Sequence, residues 1–168
     1  MEGKRATWDD ESHQNSKEIN CFSLDELEII YTNADCLTNK MIDLKLFLNT
    51  LCTKPHVIAI TEVNSKVLSN KMQESEFNLD GYNIFSVNVG NCDKRGIIVF
   101  VDKFLKVSEI ETSVNFDEYI IIQITGIGRN NLVIGTFYRS PNSSSDNDNK
   151  LLQVFSCVTK MWIVKNYS

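Results

Sequence analysis

The chain has 168 residues, of which 42% are hydrophobic and 23% are charged, and its net charge at pH 7 is -5. This length and composition predict one globular domain. The acidic balance argues against a broad nucleic-acid-binding surface, because neutralising phosphates requires clustered Lys and Arg. It does not exclude a nuclease, since a metal-bearing active site is itself acidic.

Three features of the sequence concern its location in the cell. The five cysteines are widely spaced and include no C-x-x-C pair, which predicts reduced thiols in an intracellular compartment. No apolar run approaches the roughly 20 residues that span a bilayer. The N-terminus has no apolar segment typical of a signal peptide. We therefore expect a protein of the cytoplasm or nucleus that does not enter a membrane.

The first part of the chain predicts a strand-helix-strand unit. Residues 1–24 are polar and aperiodic, which is typical of a disordered or loosely attached lead-in, and we assign residues 25–168 to the folded domain. A strand over 27–33 is followed by a one-sided helix over 39–51 and an apolar strand over 57–61. Two strands joined by a helix within about 30 residues are expected to be parallel and right-handed in their connection.

The rest of the sequence, from residue 67 onwards, predicts further strands with largely antiparallel pairing. A short helix is expected over 67–76, and the segment 126–131 is expected to be a hairpin turn. An amphipathic helix over 151–162 ends the pattern. Further strands are expected over 82–87, 96–101, 118–124 and 131–138. These elements predict a mixed α/β fold with helices on at least one face of the sheet.

The most informative pair of polar residues stands at two predicted strand ends. Glu62 directly follows the apolar strand 57–61, and Asn33 ends the strand before it. Parallel strands bring both side chains to one edge of the sheet, where α/β proteins place their chemistry. A carboxylate with a neighbouring amide suits a hard cation such as Mg²⁺. The alternative is that Glu62 is a solvated strand end and Asn33 a turn former.

A second polar group follows the last predicted strand. Tyr138 and Arg139 combine a phenol with a guanidinium fork that matches phosphate oxygens, whereas the alternative is an ordinary turn at the following Pro-Asn. His56 begins the strand that Glu62 follows, so about 20 Å separates them at roughly 3.3 Å per residue, and we interpret it as structural. The basic turn that contains Arg95 is interpreted as a solvated loop, with contact to a phosphate backbone as the alternative.

Four segments together resemble a known family. They are Tyr31 to Lys40, Pro55 to Glu62, Arg95 to Phe100, and Tyr138-Arg139-Ser140-Pro141. In order and spacing they resemble the endonuclease domain of non-LTR retrotransposons, a branch of the endonuclease/exonuclease/phosphatase superfamily. The resemblance covers about residues 27–156.

The resemblance implies a fold, a reaction and a site. The fold would be a four-layer α/β sandwich of two packed sheets with outer helices, incomplete in this chain. The reaction would be Mg²⁺-dependent hydrolysis of a DNA phosphodiester, which nicks target DNA. Glu62 matches the carboxylate that ligates Mg²⁺, and Asn33 matches the amide beside the metal. Tyr138 matches a tyrosine that hydrogen-bonds the scissile phosphate, and Arg139 is implied as a contact to the DNA backbone.

The chain also departs from this family. The family continues with a Gly-Asp-x-Asn strand and a Ser-Asp-His ending, whereas here Ile163-Val164 would begin the expected strand and Lys165-Asn166 stands in place of Gly-Asp. We therefore expect a truncated or degenerate domain that is inactive alone and leaves an apolar sheet face or edge uncovered. The alternatives are a phosphoesterase acting on small phosphorylated substrates or lipids, and a non-catalytic interaction module.

Overall fold

The computed structural model describes residues 27–65, 73–91, 93–127 and 130–166. The predicted lead-in and most of the predicted helix over 67–76 lie outside these residues. The described elements are strands β1 (Ile29–Asn33), β2 (Val57–Thr61), β3 (Tyr82–Val87), β4 (Ile97–Asp102), β5 (Lys106–Glu109), β6 (Tyr119–Ile127) and β7 (Asn130–Phe137), helices α1 (Met41–Thr50) and α2 (Ser145–Asn166), and short 3-10 helices at Leu37–Lys40 and Glu74–Phe77.

The first sheet contains the predicted strand-helix-strand unit. Its four strands lie in the order β1-β2-β4-β3. Strands β1 and β2 are parallel, with Asn33 opposite Thr61, so the predicted parallel pairing is confirmed. Strand β4 runs antiparallel to β2, and Ile97 pairs with Thr61. The start of β4 therefore lies beside the ends of β1 and β2, which fixes the position of the candidate site.

The second sheet is fully antiparallel, in the order β5-β6-β7. Strands β6 and β7 form the predicted hairpin, in which Ile127 pairs with Asn130. Strand β5 was not predicted, because its four residues alternate weakly and Val107 is its single partly buried side chain. The two sheets replace the single mixed sheet that periodicity alone predicted.

Three apolar clusters arrange these elements into four layers. Alternate residues of β2 point to opposite faces of the sheet, and all five of its residues are buried. Ile58 and Ile60 pack with Met41 of α1, whereas Val57 and Ala59 pack with β6 of the second sheet. On the far side of β6 a third cluster joins that sheet to α2. The layers run α1, first sheet, second sheet, α2, in the order that the resemblance implied.

The C-terminal helix corrects one expectation. Ile163 and Val164 do not begin a strand; they continue α2, which ends at Asn166. The helical spacing of apolar residues that starts at Leu151 carries on through this segment. The helix also begins earlier than predicted, at Ser145, because its polar first turn shows no apolar period. Acidic side chains in that turn are stabilising beside the positive end of the helix dipole.

Some apolar side chains stay uncovered in the described part of the chain. Ile29 and Tyr31 on the edge strand β1 are 48% and 63% exposed. On α1, Ile42 is exposed as well, so the helix is less one-sided than its sequence predicted. Among the described residues, no helix is long and apolar enough to span a membrane.

Candidate active site at the strand ends

The ends of β1 and β2 bring Asn33 and Glu62 into direct contact. The two strands are parallel and in register, so both chains leave the sheet at the same edge. The amide Nδ2 of Asn33 donates a hydrogen bond of 2.7 Å to Oε1 of Glu62. Parallel pairing was therefore sufficient to predict this contact.

The backbone around this pair is strained and tied together. Asp35, Cys36 and Glu62 have φ angles of 41°, 83° and 56°, in the left-handed region that side chains other than glycine rarely adopt. Such conformations cost about 1–3 kcal/mol each and persist where the surroundings enforce them. Two backbone hydrogen bonds do so: Cys36 N–H donates to Glu62 O at 2.9 Å, and Leu37 N–H donates to Val63 O at 3.0 Å.

Arg95 contributes the positive charge of the site. It stands two residues before β4, and the antiparallel pairing of β4 with β2 places it beside Glu62. Its Nη2 donates to Oε2 of Glu62 and, at 2.6 Å, to Oδ1 of Asp35. The side chain is only 13% exposed, so the interpretation of this turn as a solvated loop is wrong for Arg95. Burial acts to lower the pKa of Arg95, but its hydrogen bonds to Glu62 and Asp35 outweigh burial and raise it.

Two donors of the same guanidinium remain unused. Nε and Nη1 of Arg95 are buried and have no hydrogen-bond partner within the described part of the chain. A buried donor without a partner costs about 1–3 kcal/mol. The guanidinium is therefore held by its two carboxylates, and by the loop that carries it, against a desolvation penalty.

Asn64 fixes that loop. Its side chain is 3% exposed and accepts, at Oδ1, a hydrogen bond of 3.1 Å from the N–H of Gly90. Its Nδ2 lies 2.7, 2.8 and 3.0 Å from the carbonyl oxygens of Asn88, Lys94 and Asn91, respectively. One amide thus holds both ends of the loop that leads into Arg95. Asn64 thereby holds the loop that places Arg95 beside Glu62.

Tyr138 reaches the same carboxylate from the second sheet. It follows β7, and its N–H donates to the carbonyl of Glu118 at 3.0 Å. Burial raises the pKa of the Tyr138 phenol, and the negative charge of Glu62 and a hydrogen bond to that carboxylate raise it further. Asn33 and Arg95 hydrogen-bond Glu62, and the Tyr138 phenol, from a third segment, lies near enough to this carboxylate for its charge to raise the pKa of Tyr138. The structure therefore brings Asn33, Glu62 and Tyr138 together.

Arg139 lies outside this cluster. Its Nε and Nη2 donate to the two carboxylate oxygens of Asp148 in the first turn of α2, at 2.7 and 2.8 Å. This hydrogen bonding lowers the pKa of Asp148. The Arg139 side chain is 48% exposed, so it remains open to solvent. The predicted contact with a DNA phosphate stays a prediction.

A polar groove adjoins the cluster. Its volume is about 460 Å³, and its lining includes Lys94, Arg95, Glu118, Ser143 and Lys150. Glu118 is 6% exposed, and burial raises the pKa of its carboxyl. The groove thus carries both signs of charge.

The opposite end of β2 holds different features. His56 Nδ1 accepts a hydrogen bond of 3.1 Å from the N–H of Glu28, in agreement with its interpretation as structural. A cavity of about 610 Å³ at this end is lined by Lys54, Pro55 and Tyr82, among others. Neither feature belongs to the cluster around Glu62.

The cluster in its present arrangement does not fit the Mg²⁺ ion that the resemblance implies. Mg²⁺ requires oxygen ligands in near-octahedral geometry. Here both carboxylate oxygens of Glu62 already accept hydrogen bonds, from Asn33 and from the cationic Arg95. Asn33 Oδ1 accepts from the N–H of Asp35 at 3.1 Å. Over the described ranges, no three side chains of His, Cys, Asp or Glu are grouped to hold a metal ion.

Sequence reasoning missed Asp35, Asn64 and Arg95. Asp35 and Arg95 occupy loops, where charged residues are usually solvated, and no local pattern distinguishes Asn64 from a solvated asparagine after a strand. One signal was available for Arg95, because it directly precedes Gly96 and a fully buried strand. Its meaning depended on the antiparallel pairing of β4 with β2, which periodicity does not specify.

Comparison with known proteins identifies the fold. No family model and no curated protein matches the sequence. The structure matches the endonuclease domain of TRAS1, a telomere-specific non-LTR retrotransposon, with a TM-score of 0.52 and 10% sequence identity. The match covers 79% of this chain and 53% of that chain. At this identity, the described part of the chain is shown to have the fold of about half of a non-LTR retrotransposon endonuclease domain.

Proposed function

We propose that this chain is part of a DNA endonuclease domain of the non-LTR retrotransposon type, with Asn33, Glu62 and Tyr138 as its site. The observation that carries the proposal is the convergence of Asn33 and Tyr138 on the Glu62 carboxylate, at the strand ends of a fold shared with such a domain. DNA is the proposed partner, and a phosphodiester is the proposed substrate.

The roles follow from the donors and acceptors of these side chains. Hydrolysis of a phosphodiester accumulates negative charge on the phosphate oxygens in the transition state. The Asn33 amide has two hydrogens, so one can be donated to those oxygens while Glu62 accepts the other. The Tyr138 hydroxyl has a single hydrogen and would donate it to a phosphate oxygen only by releasing Glu62. Arg139 would contact the DNA backbone through Nη1 and the second hydrogen of Nη2, because Asp148 accepts from Nε and from the first hydrogen of Nη2.

Cleavage is not expected from the described arrangement. The resemblance implies Mg²⁺ held by Glu62 and Asn33, yet the guanidinium of Arg95 is already paired with Glu62. The nearby carboxylate of Asp35 is paired with the same guanidinium, so neither acid is free to accept a proton from water. We therefore propose a site that binds phosphate weakly and does not hydrolyse DNA while Arg95 stays in place.

This same ion pair favours a second candidate function. In a non-catalytic interaction module that keeps this fold, the Glu62 carboxylate would have no metal to bind. Its neutralisation by Arg95 within the protein agrees with such a module. The two candidates differ in whether DNA binding depends on the residues at the strand ends.

DNA binding by this chain tests the proposal. We would measure fluorescence anisotropy of a 20-base-pair duplex with the wild-type protein and with Tyr138→Phe, Arg139→Ala and Lys103→Ala. Lys103 is a matched control, because it is exposed and lies in the turn after β4, at the end of the sheet opposite Glu62. Loss of one phosphate contact should weaken binding and reduce the salt-dependence slope by about 1 in Arg139→Ala, whereas Lys103→Ala changes neither.

A nicking assay accompanies the binding measurement. Supercoiled plasmid incubated with Mg²⁺ should stay intact with both the wild-type protein and Glu62→Ala. Nicking by the wild type that disappears in Glu62→Ala would show that the chain is active and refute the proposed inactivity. Equal DNA binding by Tyr138→Phe, Arg139→Ala and Lys103→Ala would refute the site itself and support the interaction module.

A further inference from the structure

A single nitrogen atom lies between two carboxylates at the candidate site. Nη2 of Arg95 donates to Oδ1 of Asp35 at 2.6 Å and to Oε2 of Glu62. The two acids come from different loops, one after β1 and one after β2. Their oxygens therefore converge on one point, and that point carries a positive charge.

This nitrogen joins one mostly buried acid and one exposed acid. The Arg95 side chain is 13% exposed and the Glu62 side chain 16% exposed, whereas the Asp35 side chain is 66% exposed. The remaining donors of the guanidinium, Nε and Nη1, are buried without a hydrogen-bond partner in the described ranges. The two donor atoms without partners do not stabilise the buried guanidinium. The interaction that holds Arg95 in this position is therefore the pairing of Nη2 with the two carboxylates.

The geometry points to Arg95 as a tethered cation that occupies a divalent-cation position between Asp35 and Glu62. Mg²⁺ binds carboxylate oxygens at about 2.0–2.1 Å, so a cation in place of Nη2, which is now 2.6 Å from Asp35 Oδ1, would draw the two acids closer together. Asn33 adds an amide beside Glu62. The site as built thus excludes Mg²⁺ and Mn²⁺, and replacing the guanidinium with a neutral side chain converts it into a cation site.

This inference stands apart from the proposed function. It needs no DNA and no hydrolysis, and it remains testable if the chain is an interaction module. Its readout is cation binding, so its failure is distinguishable from a failure of the nuclease proposal.

The test measures Mn²⁺ binding by electron paramagnetic resonance at pH 7.5, and Mg²⁺ binding by thermal shift. Wild-type protein should bind neither ion at this site. Arg95→Met, which keeps a long side chain without charge, should bind Mn²⁺ with an affinity on the order of tenfold to a thousandfold above the upper limit that the wild-type titration sets. That range corresponds to removing the repulsion of a positive charge a few ångströms away.

Three further variants identify the cause of any gain. Lys94→Met removes a neighbouring charge that pairs with Asp117 instead, so it should gain nothing. Arg95→Lys keeps the charge and should also gain nothing. The double variant Arg95→Met with Glu62→Gln should lose what Arg95→Met gained. If Arg95→Met and Lys94→Met gained equally in Mn²⁺ affinity, the gain would come from the change in net charge alone, and the inference would be overturned.

The inference stays falsifiable if Arg95→Met does not fold. Arg95→Gln is the second variant, because its amide keeps a hydrogen bond within reach of Glu62. On the wild type, Mn²⁺ should leave the side-chain amide resonance of Asn33 unbroadened. Broadening of that resonance at low Mn²⁺ concentration, or a folded Arg95→Gln that binds no better than wild type, would overturn the inference.

Discussion

Replacing Asn64 with alanine tests whether one buried amide holds the loop that carries Arg95. The Asn64 side chain is 3% exposed and serves four backbone groups of residues 88–94. Its two amide hydrogens are shared among three carbonyls, so the side chain contributes about three hydrogen bonds in effect. The residues that carry these carbonyls are half-buried or exposed, so water can replace some of these bonds when Asn64 is absent.

We therefore expect Asn64→Ala to lower the free energy of unfolding by about 2–4 kcal/mol. A hydrogen bond contributes about 1 kcal/mol net, and a partner left buried without one costs about 1–3 kcal/mol. This change is measured by equilibrium unfolding in urea, monitored by far-UV circular dichroism. If the slope of the unfolding free energy against urea concentration is the same as in wild type, the variant has lost stability without a change in the surface exposed on unfolding.

Asn64→Asp is the matched control, because it keeps the shape and replaces the donor with an acceptor. Its second oxygen would face the three carbonyls that Nδ2 now contacts, so at pH 7 it should be at least as destabilising as Asn64→Ala. The buried charge raises the pKa of the introduced carboxyl, and stability should therefore recover as the pH falls through that value. A loss below about 1 kcal/mol in both variants contradicts the assigned role.

Three other changes have defined outcomes. Gly96→Ala should cost about 1–3 kcal/mol in urea unfolding, because Gly96 has a φ of 68° and a Cβ there would lie 3.1 Å from a neighbouring amide. Tyr82→Phe should cost about 1–2 kcal/mol by losing the 2.6 Å hydrogen bond to the Pro55 carbonyl. Burial raises the pKa of Tyr82 to about 12, above its unfolded value of about 10, so wild-type stability should fall as the pH rises through this window, and the phenylalanine variant should lack that fall. Arg139→Ala should raise the pKa of Asp148 toward its ordinary value in a carboxyl NMR titration, and an unchanged midpoint would refute the pairing.

Much of the fold could be predicted because its strands are apolar runs bounded by turns. Strand β2 is buried on both faces and gave a continuous apolar signal, and α1 connects it to β1 over a helix-sized stretch. The partition into two sheets could not be predicted from periodicity, since it depends on which strand pairs with which. Strand β5 carries little apolar signal of its own and exists because β6 offers it an edge.

The contacts of the candidate site also fall into two groups: those that local sequence predicts and those that depend on which strands pair. The contact of Asn33 with Glu62 follows from local sequence, because parallel strands joined by a helix end at one edge. The contact of Glu62 with Arg95 joins residues 33 positions apart through an antiparallel strand, and a charged residue beside a glycine is most often solvated. The strained backbone of Glu62 also has no local signature, because its φ of 56° is imposed by hydrogen bonds to another segment.

The charge at the strand ends determines how DNA would approach. Two carboxylates and one guanidinium leave Asp35, Glu62 and Arg95 with one negative charge in excess. A phosphodiester carries a negative charge too, so it is repelled from Glu62 unless a cation accompanies it, and the neutral phenol of Tyr138 cannot offset that repulsion. Arg139 is half exposed and offers the phosphate a positive charge that is only partly screened by Asp148. If DNA binds, Arg139→Ala should therefore weaken binding more than Tyr138→Phe. The opposite order would mean that the hydroxyl of Tyr138 contributes more to holding the phosphate than the positive charge of Arg139.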